Sequence, residues 1–233
     1  MALSKIDLDK AGVTGTLPTS NLDTVGVAQG GTGITSGTTD QFLKFTGTTT
    51  LASSADNAGL VLLESIDASN VATVEFTSFP ATYYNYIIFY NNIDFQNNDE
   101  YMAIRGNVGG AAGVRDGGND YGNSRYGTAT NGDNSFTDLQ TGDANYSMIN
   151  FNNGIAIMSG DWDINGYLQI WNPNSSHYKM FSHRTCYGRS GNNMSEVQGS
   201  GVMYQNGALT RLQFMTEQGE NYTGNFRLYG IKK

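Results

Sequence analysis

The chain has 233 residues, with 30 glycines, 3 prolines, one cysteine and a formal charge of −8, and its 12% of aromatic residues is set against only 15% of charged ones. That balance excludes a disordered polyelectrolyte and disfavours a helical protein, whose surface would carry Lys and Glu in quantity. It also argues against a nucleic-acid partner, since no cluster of Lys and Arg is present to release counterions from phosphates, and the lone Cys186 rules out an internal disulfide framework.

From Met1 to about Gly59 the sequence is rich in Thr, Ser, Gly and Ala, and Phe42 and Phe45 are its only aromatics. Its first ten residues alternate polar and apolar side chains, without the uninterrupted apolar stretch of a signal peptide. No later segment approaches the roughly 18 apolar residues of a membrane span. The expectation is a soluble product of a cytoplasm, with no membrane insertion. Short apolar groups, among them Ile6 with Leu8 and then Leu17, are too brief to bury themselves. Two readings stay open for residues 1–59: a flexible linker, or an extended arm that orders against identical copies or a larger assembly.

From residue 60 the aromatics arrive and the period becomes two. In Val71 to Phe76, residues Ala72, Val74 and Phe76 share one face while Val71, Thr73 and Glu75 form a wet one. Tyr84 to Tyr90, running on towards Phe95, is apolar on both faces and predicts a central strand, with Glu100 to Arg105 as its antiparallel neighbour. Strands are expected again at Gly166–Trp171, His177–Tyr187, Val197–Tyr204, Leu209–Thr216 and Asn225–Ile231, at the spacing of hairpins. Asn206-Gly207 predicts a type I′ hairpin turn joining the third and fourth of these. About ten strands and no helix make the fold class all-β. The expected architecture is one antiparallel, jelly-roll-like β-sandwich over residues 60–233, preceded by the extended N-terminal arm.

Between Gly106 and about Asp143 the sequence is rich in Gly, Asn and Asp, which predicts a long loop at one end of the sandwich. Tyr121, Arg125 and Tyr126 in this stretch are candidates for partner contact, because aromatic and guanidinium groups on glycine-rich loops offer contact area at low entropic cost.

Catalytic and metal chemistry finds little support. An even separation puts His177 and His183 on one strand face, roughly 20 Å apart, which is beyond the span of one ion. Cys186 lies an odd number of residues from His183 and faces the other way, so the two cannot share a proton. Asp161 and Asp163 flank Trp162, an arrangement that suits a sugar ring, yet two acids so spaced are common in loops. Acid- and Asn-rich groups at Asp94 to Glu100 and Asp116 to Asp120 do not follow the EF-hand pattern. No enzyme, no cofactor and no metal site is expected. Trp162 joins the candidate binding residues.

Two segments carry a resemblance. Val27 to Gly33 contains Gly30-Gly31-Thr32-Gly33, followed by Gly37 to Lys44, and resembles the Gly-Gly-Thr-Gly signature in the proximal and shaft regions of bacteriophage tail fibres and related virion fibres. Leu209 to Lys232 is similar to the terminal hairpin of β-sandwich domains in structural proteins of phages, particularly marine and cyanobacterial ones. The resemblance implies a homotrimer located on the virion and synthesised in the bacterial host cytoplasm. It further implies an arm, including Ile6, Leu8, Leu17, Gly30, Gly31 and Gly33, that attaches to phage tail or capsid proteins, and a β head that meets host cell-surface polysaccharide. Attachment would be by multivalent binding without turnover. A single Gly-Gly-Thr-Gly unit and no long shaft repeat keep a capsid decoration protein or head fibre open, and a carbohydrate-binding module or polysaccharide depolymerase is the remaining alternative.

Overall fold

The structure is a computed structural model that describes residues 42–45, 48, 51–54, 59–97, 101–109, 120–129, 136–144, 147–148, 163–189 and 193–232. The chain divides into two compact units, Met1–Asn57 and Ala58–Lys233. In the first, β1 (Phe42–Phe45) and β2 (Leu51–Ser54) form an antiparallel pair with Phe42 opposite Ser54. Phe42, Leu43 and Phe45 are exposed on it. The rest of the expected arm, including Ile6, Leu8, Leu17, Gly30, Gly31 and Gly33, lies outside the described residues.

The second unit is all-β and antiparallel among its described residues. Its strands are β3 (Leu60–Val71), β4 (Thr73–Phe76), β5 (Tyr83–Phe95), β6 (Met102–Val108), β7 (Tyr121–Ala129), β8 (Phe136–Ala144), β9 (Ser147–Met148), β10 (Ile164–Trp171), β11 (Lys179–Arg189), β12 (Asn193–Met203), β13 (Leu209–Thr216) and β14 (Tyr222–Lys232). One sheet has eight strands in the order β3-β14-β5-β10-β11-β12-β7-β8, and the other has four in the order β4-β13-β6-β9. If the β7–β8 and β11–β12 hairpins are set aside and the remaining strands lettered B to I along the chain, the sheets read B-I-D-G and C-H-E-F. This is the strand order of a jelly roll, two Greek keys folded face to face. Both hairpins add to the β10 edge, so the large sheet runs past the basic sandwich on that side.

Alternation explains the core. Tyr86, Ile88 and Tyr90 of β5, with Phe226 and Leu228 of β14, are fully buried. Phe214 of β13 in the small sheet meets Tyr90 and Phe226 of the large one, with ring centroids 5.7 and 5.1 Å away. Each such side chain contributes about 1.5–3 kcal/mol by leaving water. Buried phenols still need partners: the Tyr90 hydroxyl lies 2.6 Å from Thr185 Oγ1, and the Tyr222 hydroxyl donates to the Phe214 carbonyl at 3.0 Å. Burial pushes both phenol pKa values up.

β5 is central, lying between β14 and β10. Val74 and Phe76 face the core, and Glu75 on the wet face pairs with Arg211 at 2.8 Å. Four expectations are corrected. β6 is not the neighbour of β5 but lies in the small sheet beside β13. The chain crosses between sheets after β5, and strand alternation alone does not signal such a crossing. Asn206-Gly207 closes no hairpin, because β12 and β13 belong to different sheets; Gly207 takes φ 119° and Asn206 stays at negative φ in a sheet-to-sheet crossing. The stretch from Gly106 to Asp143 is not one long loop, since it contains β7 and β8, and β7 pairs along its length with β12. Finally, β11 starts at Lys179, so His177 precedes the strand that holds His183.

Candidate functional site

Burial alternates along β10, with Leu168 and Ile170 inward and Tyr167, Gln169 and Trp171 outward. The same alternation on β11, β12 and β7 turns Ser182 and Arg184, Gln198 and Ser200, and Ser124 and Tyr126 to the outer face. Register then lines them up in rows. Gln169 stands opposite Ser182, Ser182 opposite Ser200, and Ser200 opposite Ser124. In the next row Tyr167 stands opposite Arg184, Arg184 opposite Gln198, and Gln198 opposite Tyr126.

The three serines, with Tyr167, Arg184, Gln198 and Tyr126, line an open trough of about 400 Å³ on the outer surface of the large sheet. Its floor is short, because serine hydroxyls occupy one row. Aromatic side chains mark its ends: Tyr126 is 44% exposed and Tyr167 37%. With β11 and β12 between them, β10 and β7 lie about 14 Å apart at the usual strand spacing. Trp171, also exposed, donates its indole N–H to Ser182 Oγ at 3.3 Å and so stands beside the hydroxyl row.

The trough is close to neutral. Arg184 binds Glu196 through two bonds of 2.8 Å, Nε to Oε1 and Nη2 to Oε2, and this carboxylate raises the guanidinium pKa. Hydroxyls, amides and aromatic faces, with one ion pair satisfied from within, form a surface whose chemistry suits hydrogen bonding and ring stacking with a neutral, hydroxyl-rich ligand.

Beneath this face the side chains are buried. His183 and Arg125 point to the inner side of the sheet, 3% and 2% exposed. Neither ring nitrogen of His183 has a hydrogen-bond partner among the described residues, and burial, reinforced by the Arg125 charge, drops its pKa to about 3. Gly199 lies between them; a Cβ there would come within 2.6 Å of His183 Nε2. Cys186 faces outward, away from His183, and burial followed by the Glu196 charge raises its thiol pKa.

Of the candidates from the sequence, Tyr126 lies in the trough and Arg125 lines it from the buried side. Tyr121 and Arg125 are corrected: both belong to β7 and both are buried. The Tyr121 hydroxyl accepts from the Gly106 N–H at 2.8 Å and donates to its carbonyl at 3.3 Å, a structural contact between the sheets. Trp162 and Asp161 lie outside the described residues, and Asp163 is exposed just before β10. Tyr167, Trp171 and the serines were passed over, although Gly166 to Trp171 carries the signal: its aliphatic residues alternate strictly with Tyr, Gln and Trp. Among the described residues there is no group of three or more His, Cys, Asp or Glu that could hold a metal ion, and no helix is long and apolar enough to cross a membrane.

Comparison with known proteins finds no matching family model, no matching curated protein and no matching solved structure.

Proposed function

We propose that the protein is a structural virion protein of a tailed phage, a trimeric fibre or spike held to the particle by its N-terminal arm, whose jelly-roll head binds neutral polysaccharide of the host surface. The observation that carries the ligand class is the row of Ser182, Ser200 and Ser124 beside the row that runs from Tyr167 through Arg184 and Gln198 to Tyr126. Hydroxyl rows match sugar hydroxyls, and flanking rings match the apolar faces of sugar rings. The Gly-Gly-Thr-Gly resemblance supports the virion assignment. The reading is of binding without turnover, and it is supported by the placement of Cys186 and His183 on opposite faces of β11. Multivalency would give such shallow sites their useful affinity.

The test is binding of the full chain to an array of bacterial surface polysaccharides, read beside a reducing-end assay on the ligands it retains. Retention without new reducing ends, weakened by Tyr167→Ala, is the expected result. Release of reducing ends would turn the reading to a depolymerase, and retention that ignores Tyr167→Ala would move the site elsewhere.

A further inference from the structure

The outer face of the large sheet has a second half, towards β3, of opposite character. Outward positions of β3, β14 and β5 place Leu60 and Leu62, Tyr229 and Ile231, and Ile87 and Phe89 side by side. Leu62 stands opposite Tyr229 and Tyr229 opposite Ile87, in the very row that continues through Gln169 into the serines. Leu60 and Leu62 are 44% and 51% exposed. Phe89 packs its ring against Tyr229 at 5.7 Å and Tyr167 at 6.3 Å, which makes the apolar surface continuous up to the trough.

A strand that is apolar on both faces belongs between two packed layers, and β5 has only one such layer among the described residues: Tyr86, Ile88 and Tyr90 fill the core while Ile87 and Phe89 look out. At the usual strand spacing these six apolar positions cover roughly 200 Å² on one copy.

Charge identifies the occupant. A chain carrying −8 repels its own copies over most of its surface. On this face the charges are cancelled from within: Arg227 pairs with Asp67 at 2.8 Å beside the apolar half, as Arg184 does with Glu196 beyond it. A patch without charged side chains on a strongly acidic protein is where like-charged copies meet at least cost, and the rows of Leu60 with Ile231 and of Leu62 with Tyr229 and Ile87 hold no charge to select a basic partner. We infer that copies of this chain associate through the outer face of β3, β14 and β5, leaving the serine trough open beside the contact. The inference rests on the reading that the protein is oligomeric, and names the surface.

The test is solution mass by light scattering for the full chain and for Leu62→Glu, with Leu60→Lys as a second variant in case the first does not fold. Both substitutions fall on exposed positions of β3, the end strand of the sheet, and circular dichroism checks the fold. The expected result is a wild-type mass that is a multiple of 25.2 kDa and a folded 25.2 kDa variant that still binds polysaccharide. A wild-type multiple that survives in the folded variants overturns this surface while leaving the oligomeric reading in place. A wild-type mass of 25.2 kDa overturns both, whether the face is bare or covered by the chain's own N-terminal residues.

Discussion

His183 and Arg125 occupy one inward row of the large sheet with Gly199 between them, so a neutral imidazole and a guanidinium share a buried site across a residue without a side chain. Burial, and then the Arg125 charge, hold the imidazole pKa at about 3 against an ordinary 6.5. The unfolded chain therefore takes up a proton near pH 6.5 that the folded chain refuses until about pH 3. Stability from this group is complete above 6.5 and is lost as pH falls, with a slope of up to about 1.4 kcal/mol per pH unit. Urea unfolding between pH 6.5 and 5 should show that slope in the wild type and a flatter one in His183→Gln. Equal slopes would mean that the folded protein accepts the proton.

Gly199→Ala tests the same row by volume. The added methyl would lie 2.6 Å from His183 Nε2 and 2.6 Å from the Ser124 carbonyl oxygen, which is backbone and held in the ladder. Overpacking of this kind costs about 1–3 kcal/mol. At about 2–4 °C per kcal/mol for a domain of this size, the melting temperature should fall by several degrees. An unchanged melting temperature would show that the β12–β7 ladder opens freely at this point.

Phe214→Ala should be among the most damaging core substitutions. Its ring touches Phe76 at 6.2 Å within the small sheet, and Tyr90 and Phe226 across the sandwich. Truncation of a buried Phe costs about 3–5 kcal/mol, because the rings around the void relax only in part. Denaturant unfolding should show that loss. A cost below about 1 kcal/mol would mean that the two sheets are held elsewhere.

The strands were legible because period-two alternation survives wherever one face is buried, as in Gly166 to Trp171 and in Leu209 to Thr216. What alternation does not encode is the partner. Glu100 to Arg105 reads as a strand equally well beside β5 or beside β13, and Asn206-Gly207 reads as a hairpin until β12 and β13 prove to lie in different sheets. Glycine and asparagine misled most between Gly106 and Asp143, where β7 holds Gly122 against the Tyr204 ring and Gly127 on its inward face, inside a strand rather than a loop. For the same reason Tyr121 and Arg125 read as exposed although the sheet buries them. The trough was hidden because it is assembled by register from single serines on different strands, none of which forms a motif along the chain.

Cys186 reports on the electrostatics beside the trough. Partial burial raises its thiol pKa, and Glu196, directly opposite on β12, raises it further, while Arg184 acts in the other direction. Alkylation by iodoacetamide at pH 8 should be slower than that of a free thiol, since only the thiolate reacts. Glu196→Gln removes the opposing charge and leaves Arg184, so the rate should rise. A rate that falls or stays level would indicate that access, and not charge, limits the thiol.

The neutral trough makes a specific claim about salt. A ligand held by serine hydroxyls, Gln198 and the rings of Tyr126 and Tyr167 forms no ion pair on binding, because Arg184 is already satisfied by Glu196. Polysaccharide affinity should therefore stay level as salt shortens the Debye length from about 30 Å at 0.01 M to about 8 Å at 0.15 M. Tyr167→Ala and Tyr126→Ala should each weaken binding by a few fold, consistent with about 0.5–1.5 kcal/mol for a ring contact. They should also combine additively, since the two rings lie on β10 and β7 with two strands between them. Titration calorimetry at both salts decides the matter: an affinity that falls steeply with salt would assign the site to a charged ligand and to Arg184 rather than to the serine row.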